Sequence, residues 1–358
     1  MEIGALLDDL TAQLERYVFF HQKEAVPTIV LWIVFAWCHD VASYSPILVA
    51  QAPTIGSAKT HVCKVIALLT PRSKLIVEPT GTTFYRYVDE YRPTLIVDDA
   101  DRLLPRRPDL THIINSAYSA RNAVMQRWNS RTRRMDEFNI FCPKVLNGID
   151  LLAHLEPATR SRCITINMLR KLPNERVVDI RDADNDEAFP TLRSKLLRCS
   201  SDNLATLKKA RPAMPTGYTN RLEDNFTLLF AIADLAGGDW PKKARAAALK
   251  LTPAEAASLG ERLLAAFRDL FIKHGNKLPS ERIPKLLETS KDPEWADYRG
   301  QGHTITQHQI AALLKPFGIR PKHLSYRTQK GALSQVVRGY DASQFETAFK
   351  HYLPSAGR

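Results

Sequence analysis

Between residues 47 and 168 the sequence alternates short β-rich runs with helical stretches, and this alternation restricts the fold more than any other feature. The β-rich runs are Ile47 to Ala50, Leu75 to Val77, Leu95 to Val97, Lys144 to Leu146 and Cys163 to Ile166. Strands separated by helices pair in parallel, because each crossover helix returns the chain to the same end of the sheet. We therefore predict an α/β fold with a parallel sheet.

Changes of pattern divide the chain of 358 residues into four predicted segments. A helical segment at 1–45 covers the sheet, and the sheet-forming core occupies 46–170. A polar helical segment at 171–251 is expected to act as a lid. Residues 252–358 read as short helices around a basic loop at 318–338, a pattern typical of a winged-helix-like domain.

Composition and charge narrow the class of protein further. The chain has 50 Lys and Arg against 38 Asp and Glu, a net charge of +12 that favours a polyanionic partner. The longest apolar run, Ile29 to Cys38, is about half the ~20 residues of a membrane-spanning helix, so no membrane partner is expected. The acidic start, Met1 to Asp9, lacks the basic region of a secretory signal, which predicts a cytoplasmic location. Five scattered cysteines indicate neither a disulfide framework nor a zinc site.

The segment 52–60, Ala-Pro-Thr-Ile-Gly-Ser-Ala-Lys-Thr, follows a predicted strand and precedes a predicted helix. A phosphate loop needs small residues around the phosphate oxygens, a lysine for the terminal phosphates and a hydroxyl for magnesium. The candidate nucleotide-binding residues are Gly56, Ser57, Ala58, Lys59 and Thr60, with Thr60 also on the metal. Ala58 stands where a glycine belongs, and its Cβ costs about 1–2 kcal/mol if the backbone there is left-handed. The alternative is an ordinary polar turn.

The run from Pro93 to Asp101 predicts a buried strand that ends in adjacent acids. Such an end places one carboxylate on magnesium and the next beside the attacking water. Asp98 is the candidate metal ligand, and Asp99 is the candidate residue that activates water. The alternative is a pair of acids that simply ends a strand at the surface.

Three further polar residues occur in the order expected of a ring-forming ATPase. Asn147 ends the predicted strand at 144–146, where its side chain could orient the water. Arg160 and Arg162 precede the next strand, where an arginine finger would reach the γ-phosphate held by a neighbouring subunit. For each residue the alternative is an ordinary surface side chain.

The chain resembles the AAA+-like P-loop ATPase domain of DNA helicases and helicase-primases encoded by phages and plasmids. The residues that carry the resemblance are Tyr44 to Leu48, Lys59-Thr60, Arg92 to Asp101, Asn220-Arg221, Asp224-Asn225, Ala231 to Trp240, Leu314 to Arg320, Arg338 to Tyr340, Phe345 and Tyr352 to Pro354. The resemblance implies ATP and Mg²⁺ as cofactors and Arg221 as a sensor that touches nucleotide; a solvated Arg221 after an Asn220 helix cap is the alternative. Ala58 and Asp99 depart from the family's Gly and Glu, which predicts slow hydrolysis.

Two basic stretches are candidates for contact with DNA. The C-terminal one contains Arg320, Lys322, Arg327, Lys330 and Arg338, as a wing that follows phosphates would require. The helix predicted at 307–314 is the candidate recognition helix. The other stretch, with Arg131, Arg133 and Arg134, is predicted to be a hairpin that could line a central pore. The alternative for the C-terminal stretch is a basic loop that only faces solvent.

Together these features predict an ATP-dependent helicase- or translocase-type motor of a mobile element that acts on single- or double-stranded DNA. Hydrolysis at subunit interfaces requires a homo-oligomer, with a hexameric ring as one form. Two rival functions remain open. One is a nucleotide-sensing DNA-binding switch or loader with weak or no hydrolysis, and the other is a DNA-binding regulator with an inactive phosphate loop.

Overall fold

A computed structural model describes residues 2–218, 220–252, 258–290, 292–300, 302–326 and 335–353. The chain divides into two compact units, Met1–Pro253 and Ala254–Arg358. Each unit has a hydrophobic core of its own.

A five-stranded parallel sheet forms the centre of the first unit, which confirms the predicted mixed α/β class. The seven strands of this unit are β1 (Ile47–Ala52), β2 (Lys74–Ile76), β3 (Leu95–Val97), β4 (Val124–Asn129), β5 (Arg134–Asn139), β6 (Lys144–Ile149) and β7 (Cys163–Asn167). The sheet has the order β2-β3-β6-β1-β7, and all its pairs are parallel. Strands β4 and β5 form a separate antiparallel hairpin, as predicted for the stretch around Arg131.

Helices cover both faces of the sheet. They are α1 (Ile3–Tyr17), α2 (Ala25–Trp37), α3 (Lys59–Leu69), α4 (Gly81–Tyr91), α5 (Ala100–Arg106), α6 (Pro108–Ser116), α7 (Leu151–His154), α8 (Pro157–Arg160), α9 (Ala188–Lys209), α10 (Arg221–Ala236) and α11 (Trp240–Leu251). Leu48 and Ala50 of β1 face a core shared with α1, α2, α3 and α9 to α11. Ile47 and Val49 face the opposite core, which α4 to α7 complete. A strand buried on both faces explains the continuous apolar run in the sequence.

Helix α2 is the longest apolar run of the sequence, and it is an internal helix of the first unit. Every residue from Thr28 to Ala36 is buried, in contact with α1, α9, α10 and α11. Across the described ranges, no helix combines the length and the apolar character needed to cross a lipid bilayer.

A buried lysine joins the loops at the amino ends of the strands. The Lys144 ammonium donates hydrogen bonds to the carbonyl oxygens of Ala117 (2.8 Å) and Cys142 (2.7 Å). The Ser45 hydroxyl donates to the same Cys142 carbonyl at 2.8 Å, and its oxygen lies 3.0 Å from His39 Nε2. Burial without a carboxylate partner lowers the pKa of Lys144 to about 8.

The second unit combines helices with a three-stranded antiparallel sheet. Its elements are α12 (Leu259–His274), β8 (Lys277–Pro279), α13 (Ile283–Glu288), α14 (Gln307–Leu314), β9 (Lys322–Tyr326), β10 (Gln335–Asp341) and α15 (Glu346–Tyr352). The sheet has the order β8-β10-β9. Phe267, Tyr340 and Phe345 pack their rings together in its core. The stretch 318–338 was predicted to be one basic loop, and this was wrong because β9 and most of β10 lie within it.

Because its thiols are buried, we predict that the folded protein loses stability at alkaline pH. Burial raises the pKa of Cys38, Cys63 and Cys163 to about 12 and that of Cys142 to about 11. In the folded chain these thiols therefore keep protons that they release above about pH 9 in the unfolded chain. The free energy of unfolding consequently falls as pH rises. Each thiol contributes at most about 1.4 kcal/mol per pH unit. Lys144, whose pKa is lowered, contributes a pH dependence of stability with the opposite sign. It offsets roughly the contribution of one of the four thiols.

Urea unfolding followed by circular dichroism at about pH 8 and about pH 10.5 measures this loss. The variant Cys38→Ala should lose less stability between the two pH values than the unmodified chain. An equal loss in both proteins would contradict the assignment of the pH dependence to the thiols.

Candidate functional site

The loop between β1 and α3 has the backbone of an anion-binding turn. Gly56 has a φ of 73° and Ala58 a φ of 57°, both in the left-handed region, and α3 begins at the next residue, Lys59. The Ser57 side chain is buried and donates a hydrogen bond to the Thr54 carbonyl at 3.1 Å. The first N–H groups of a helix have no partner within that helix, so this turn directs several free donors to one place.

Lys59 extends across this loop. Its ammonium donates to the Thr54 carbonyl oxygen at 3.2 Å, which holds the positive charge beside the amides of the turn. A phosphate group placed there would contact the ammonium and the backbone donors together. Thr60 follows at the exposed surface of the first helical turn.

The acidic pair lies at the carboxyl end of β3, where Asp99 precedes α5. The Asp99 N–H donates to Asp98 Oδ1 at 3.0 Å and to Asn147 Oδ1 at 3.2 Å. The buried Asn147 amide in turn donates to the Cys63 sulfur at 3.3 Å. Cys63 lies one turn beyond Lys59 in α3. A continuous set of side-chain contacts therefore joins the phosphate loop's helix to the acidic pair.

The sheet topology explains why these residues meet. Ala50 of β1 pairs with Asn147 of β6, and Leu146 pairs with Val97 of β3, so β3 ends one position before the level of Asn147 while β1 and β6 continue beyond it. From β1 the chain turns toward β2 at one edge, whereas from β6 it crosses to β7 at the other edge. Ligands of open α/β sheets bind in the crevice where the connections diverge in this way.

Sequence reasoning missed two residues at this edge of the sheet. Arg170, three residues after β7, donates from Nε to the Ile55 carbonyl at 2.9 Å and lies against Gly56. Asp101, in the first turn of α5, packs on Gly148, and its buried Oδ1 has no hydrogen-bond partner among the residues that the structure describes. The position of both residues just beyond strand ends was the signal that could have identified them.

The predicted arginines lie in different surroundings. Arg160 is exposed at the end of α8. The Arg162 guanidinium lies over the Tyr118 ring, 5.4 Å from its centroid, and donates to Asn115 Oδ1 at 3.2 Å. The Arg221 guanidinium lies 4.9 Å from the same centroid. Burial and the neighbouring Arg221 charge lower the pKa of Arg162.

Arg162 and Arg221 share a cavity of about 660 Å³. Its other lining residues are Tyr44, His112, Asn115, Ser116, Tyr118, Ser119, Arg121, Asn122 and Ala158. Arg221 also lies 3.7 Å from Asp224. Within the described ranges, no hydrogen bond or ion pair joins Arg221 to the phosphate loop. The structure thus places Arg221 beside Arg162, and its contact with nucleotide stays a prediction.

The candidate DNA-binding residues occupy two exposed regions. Arg131 and Arg133 lie in the turn of the β4–β5 hairpin, and Arg134 begins β5. In the second unit, Arg320 and Arg338 line a cavity of about 650 Å³ beside Gln307, His308 and Lys315. Lys322, at the start of β9, lies 3.9 Å from Asp341. Arg327 and Lys330 lie outside the described residues.

Fold and site together define a mixed α/β protein in which a loop with two left-handed residues and an acidic strand end lie at one edge of a parallel sheet. Residues 167–352 match the family model described as "Protein of unknown function (DUF3631)". This match covers more than half of the chain, and the chain belongs to that family.

Individual proteins and solved structures are also similar to this chain. The "Uncharacterized 28.9 kDa protein in xis 5'region" of Saccharopolyspora erythraea is 32% identical over 196 residues, which are 53% of this chain and 70% of that protein. Among solved structures, the apo C-terminal region of NrS-1 is 10% identical, with 94% of this chain and 75% of that chain covered and a TM-score of 0.46. The JCV helicase is 12% identical, with 74% and 65% covered and a TM-score of 0.31.

Proposed function

We propose that this chain is a nucleotide-dependent motor that acts on DNA, an ATP-driven helicase or translocase. The observation that carries the proposal is the contact path from α3 through Cys63 and Asn147 to the Asp99 N–H. This path holds a phosphate-loop turn and two carboxylates at one crevice, which is the arrangement that phosphoryl transfer needs.

ATP would bind with its phosphates in the turn at 56–60. The backbone N–H groups and the Lys59 ammonium supply the donors, and Arg170 adds a second positive charge beside Gly56. Mg²⁺ is usually held by one or two carboxylates together with substrate phosphates. The Asp98 carboxylate and the Thr60 hydroxyl fit that requirement, and bound Mg²⁺ would neutralise charge on the phosphates. No cluster of three or more His, Cys, Asp or Glu in the described ranges could hold a metal without such a substrate.

Asp99 and Asn147 are the residues that would position the attacking water. Because Asn147 accepts the Asp99 backbone N–H, the Asn147 amide is held beside the start of α5. Transfer also requires positive charge at the γ-phosphate. Arg162, held by Asn115 and the Tyr118 ring, suits that role better than the exposed Arg160. We infer that the Arg162 and Arg221 cavity receives the nucleotide of a neighbouring copy in a homo-oligomeric ring.

DNA would contact the β4–β5 hairpin and the second unit. The element order α12, β8, α13, α14, β9, β10, with an antiparallel sheet, matches a winged helix in which α14 is the recognition helix. The cavity beside α14 contains Arg320 and Arg338 and presents Gln307 and His308. Such a surface suits phosphate contacts with limited base readout.

Two measurements test this function. One is ATP turnover with and without a single-stranded oligonucleotide, and the other is the mass of the protein assembly with ATP present. A motor should hydrolyse ATP faster when DNA is present and should form an oligomer. Absence of nucleotide binding by the full chain would refute the proposal.

A second candidate function is a nucleotide-sensing switch or loader. The observation in its favour is the left-handed backbone of Ala58, which strains the turn at a position where the ATPase domains that this chain resembles have glycine. Under this function the chain binds ATP and changes its DNA binding, but turnover stays at background level whether or not DNA is present.

The variant Ala58→Gly is expected to raise the free energy of unfolding by about 1 kcal/mol. Alanine carries a cost of about 1 kcal/mol at a φ of 57°, and glycine adopts this φ without it. Because the strain belongs to the folded backbone and not to a bound ligand, the gain appears in stability and not in ATP affinity. Urea unfolding measures the change. Ala67→Gly, the same substitution inside α3, should instead lower the free energy of unfolding by about 1 kcal/mol. A loss of stability in Ala58→Gly would contradict a left-handed backbone at this position.

A further inference from the structure

The β4–β5 hairpin attaches to the first unit by one face only. Six cross-strand pairs run from Val124↔Asn139 to Asn129↔Arg134. On one face, Met125 and Phe138 pack against the core, and the Phe138 ring lies 4.7 Å from that of Tyr85 in α4. Side chains alternate along a strand. Residues an odd number of positions from Met125 or Phe138 on the same strand therefore point to the opposite face.

That opposite face carries an exposed apolar pair. Trp128 is 60% exposed and lies directly across from Met135, which is 52% exposed. The other tryptophans are less accessible to a partner molecule. Trp32, Trp240 and Trp295 are buried, and the Trp37 indole donates a hydrogen bond to the Leu69 carbonyl oxygen. A large apolar surface kept in solvent near the end of a hairpin indicates a contact with another molecule.

The charges around Trp128 specify the chemistry of that molecule. Arg131, Arg133 and Arg134 are exposed within six residues of the indole, and in the described ranges none of them forms an ion pair. The hairpin at 124–139 has four Arg against two acids, Asp136 and Glu137, so it keeps a net charge of +2. An aromatic ring beside an excess of arginines is complementary to a flexible polyanion with flat apolar groups.

We propose that Trp128 stacks on a base of single-stranded nucleic acid while the turn arginines contact the flanking phosphates. This inference rests on the proposed DNA-acting function and deepens it. In a duplex each base is covered by its neighbours, whereas a single strand can place a base face on an indole. Trp128 would then make the hairpin selective for an unpaired strand, and Met135 would border the same base.

Binding of the full chain to fluorescent oligonucleotides of equal length separates stacking from charge. The ligands are oligothymidylate, oligouridylate, a duplex, and an abasic oligomer that keeps the phosphates but has no bases. Trp128→Ala should weaken binding to oligothymidylate roughly tenfold to a hundredfold and leave binding to the abasic oligomer unchanged. Trp128→Phe should retain most of the affinity. Arg131→Ala should weaken binding to oligothymidylate and to the abasic oligomer by the same factor. Leu249→Ala, at a residue 50% exposed in α11, should change binding to neither.

Tryptophan fluorescence supplies a second readout. Oligothymidylate should quench the emission of the unmodified chain, the abasic oligomer should not, and Trp128→Phe should lose the quenching. Equal weakening of base-containing and abasic ligands by Trp128→Ala would overturn the proposal. It would also fail if Trp128→Ala altered only the mass of the assembly, since Trp128 would then contact a second copy of the chain.

These outcomes are independent of ATP turnover. A chain without turnover that still shows Trp128-dependent base binding would refute the motor and retain the stacking. An active motor that binds both oligomers equally well with and without Trp128 would refute the stacking alone. The oligouridylate arm distinguishes RNA from DNA as the strand that is bound.

Discussion

Replacement of Lys59 with alanine is expected to weaken ATP binding by at least about thirtyfold. Lys59 is the only charged side chain in the turn 53–60, and its ammonium already lies over the Thr54 carbonyl. Loss of a positive charge that contacts a bound triphosphate costs about 2–5 kcal/mol. Turnover should fall with binding. Folding should change by only about 1 kcal/mol, because a single neutral acceptor loses its donor.

Lys64→Ala provides the matched control in the same helix. Lys64 pairs with Asp184 at 2.7 Å on the surface of the first unit, and surface ion pairs contribute at most about 1 kcal/mol. ATP affinity, measured by isothermal titration, should therefore be unchanged in this variant. If Lys59→Ala bound ATP as tightly as Lys64→Ala does, the turn would not be a phosphate loop. The regulator with an inactive loop would then be the better reading.

The parallel sheet was predictable because its signal is local. The inner strands β1 and β3 are short apolar runs buried on both faces, whereas the edge strand β2 is mostly exposed. The order β2-β3-β6-β1-β7 was not predictable, since it depends on pairings between residues far apart in sequence, such as Ile47 with Lys144 and Cys163. The loop predicted at 318–338 was wrong because the basic residues of β9 and β10 remain exposed, so apolar alternation is weak there.

The candidate site was predictable where strand ends determine it. Asp98 and Asp99 follow β3, and the carboxyl ends of parallel strands share one edge. Asn147 was predicted to follow its strand but lies within β6, one position beyond the level at which β3 ends. The position of Arg221 has a different origin: Tyr118 donates to Asn225 at 2.8 Å, and Asn225 donates to the Ser161 carbonyl at 3.0 Å. These contacts bring α10 to the loop before β7, and no spacing in the sequence records them.

Gly148→Ala is expected to destabilise the first unit by about 2 kcal/mol and to reduce ATP turnover more than this loss of stability explains. A Cβ at Gly148 would lie 2.4 Å from Asp101 Oδ1 and 3.0 Å from Asp101 Cβ and Cγ. Overpacking of this kind costs about 1–3 kcal/mol. Relief requires α5 to shift, and Asp99 at its start would move away from Asn147, the neighbour of Gly148. Urea unfolding and steady-state turnover of the purified variant measure the two effects.

Two further variants identify the contact responsible. Gly4→Ala makes the same substitution in α1, where the new Cβ would lie 3.4 Å from the nearest atom, the Ala236 carbonyl oxygen. It should be neutral or stabilising by up to about 1 kcal/mol, since alanine favours a helix. Combining Gly148→Ala with Asp101→Gly removes the three crowding atoms, so the pair should recover stability that Gly148→Ala alone loses. If Gly148→Ala unfolded at the same urea concentration as the unmodified chain, α5 would not lie against β6 as closely as this crevice requires.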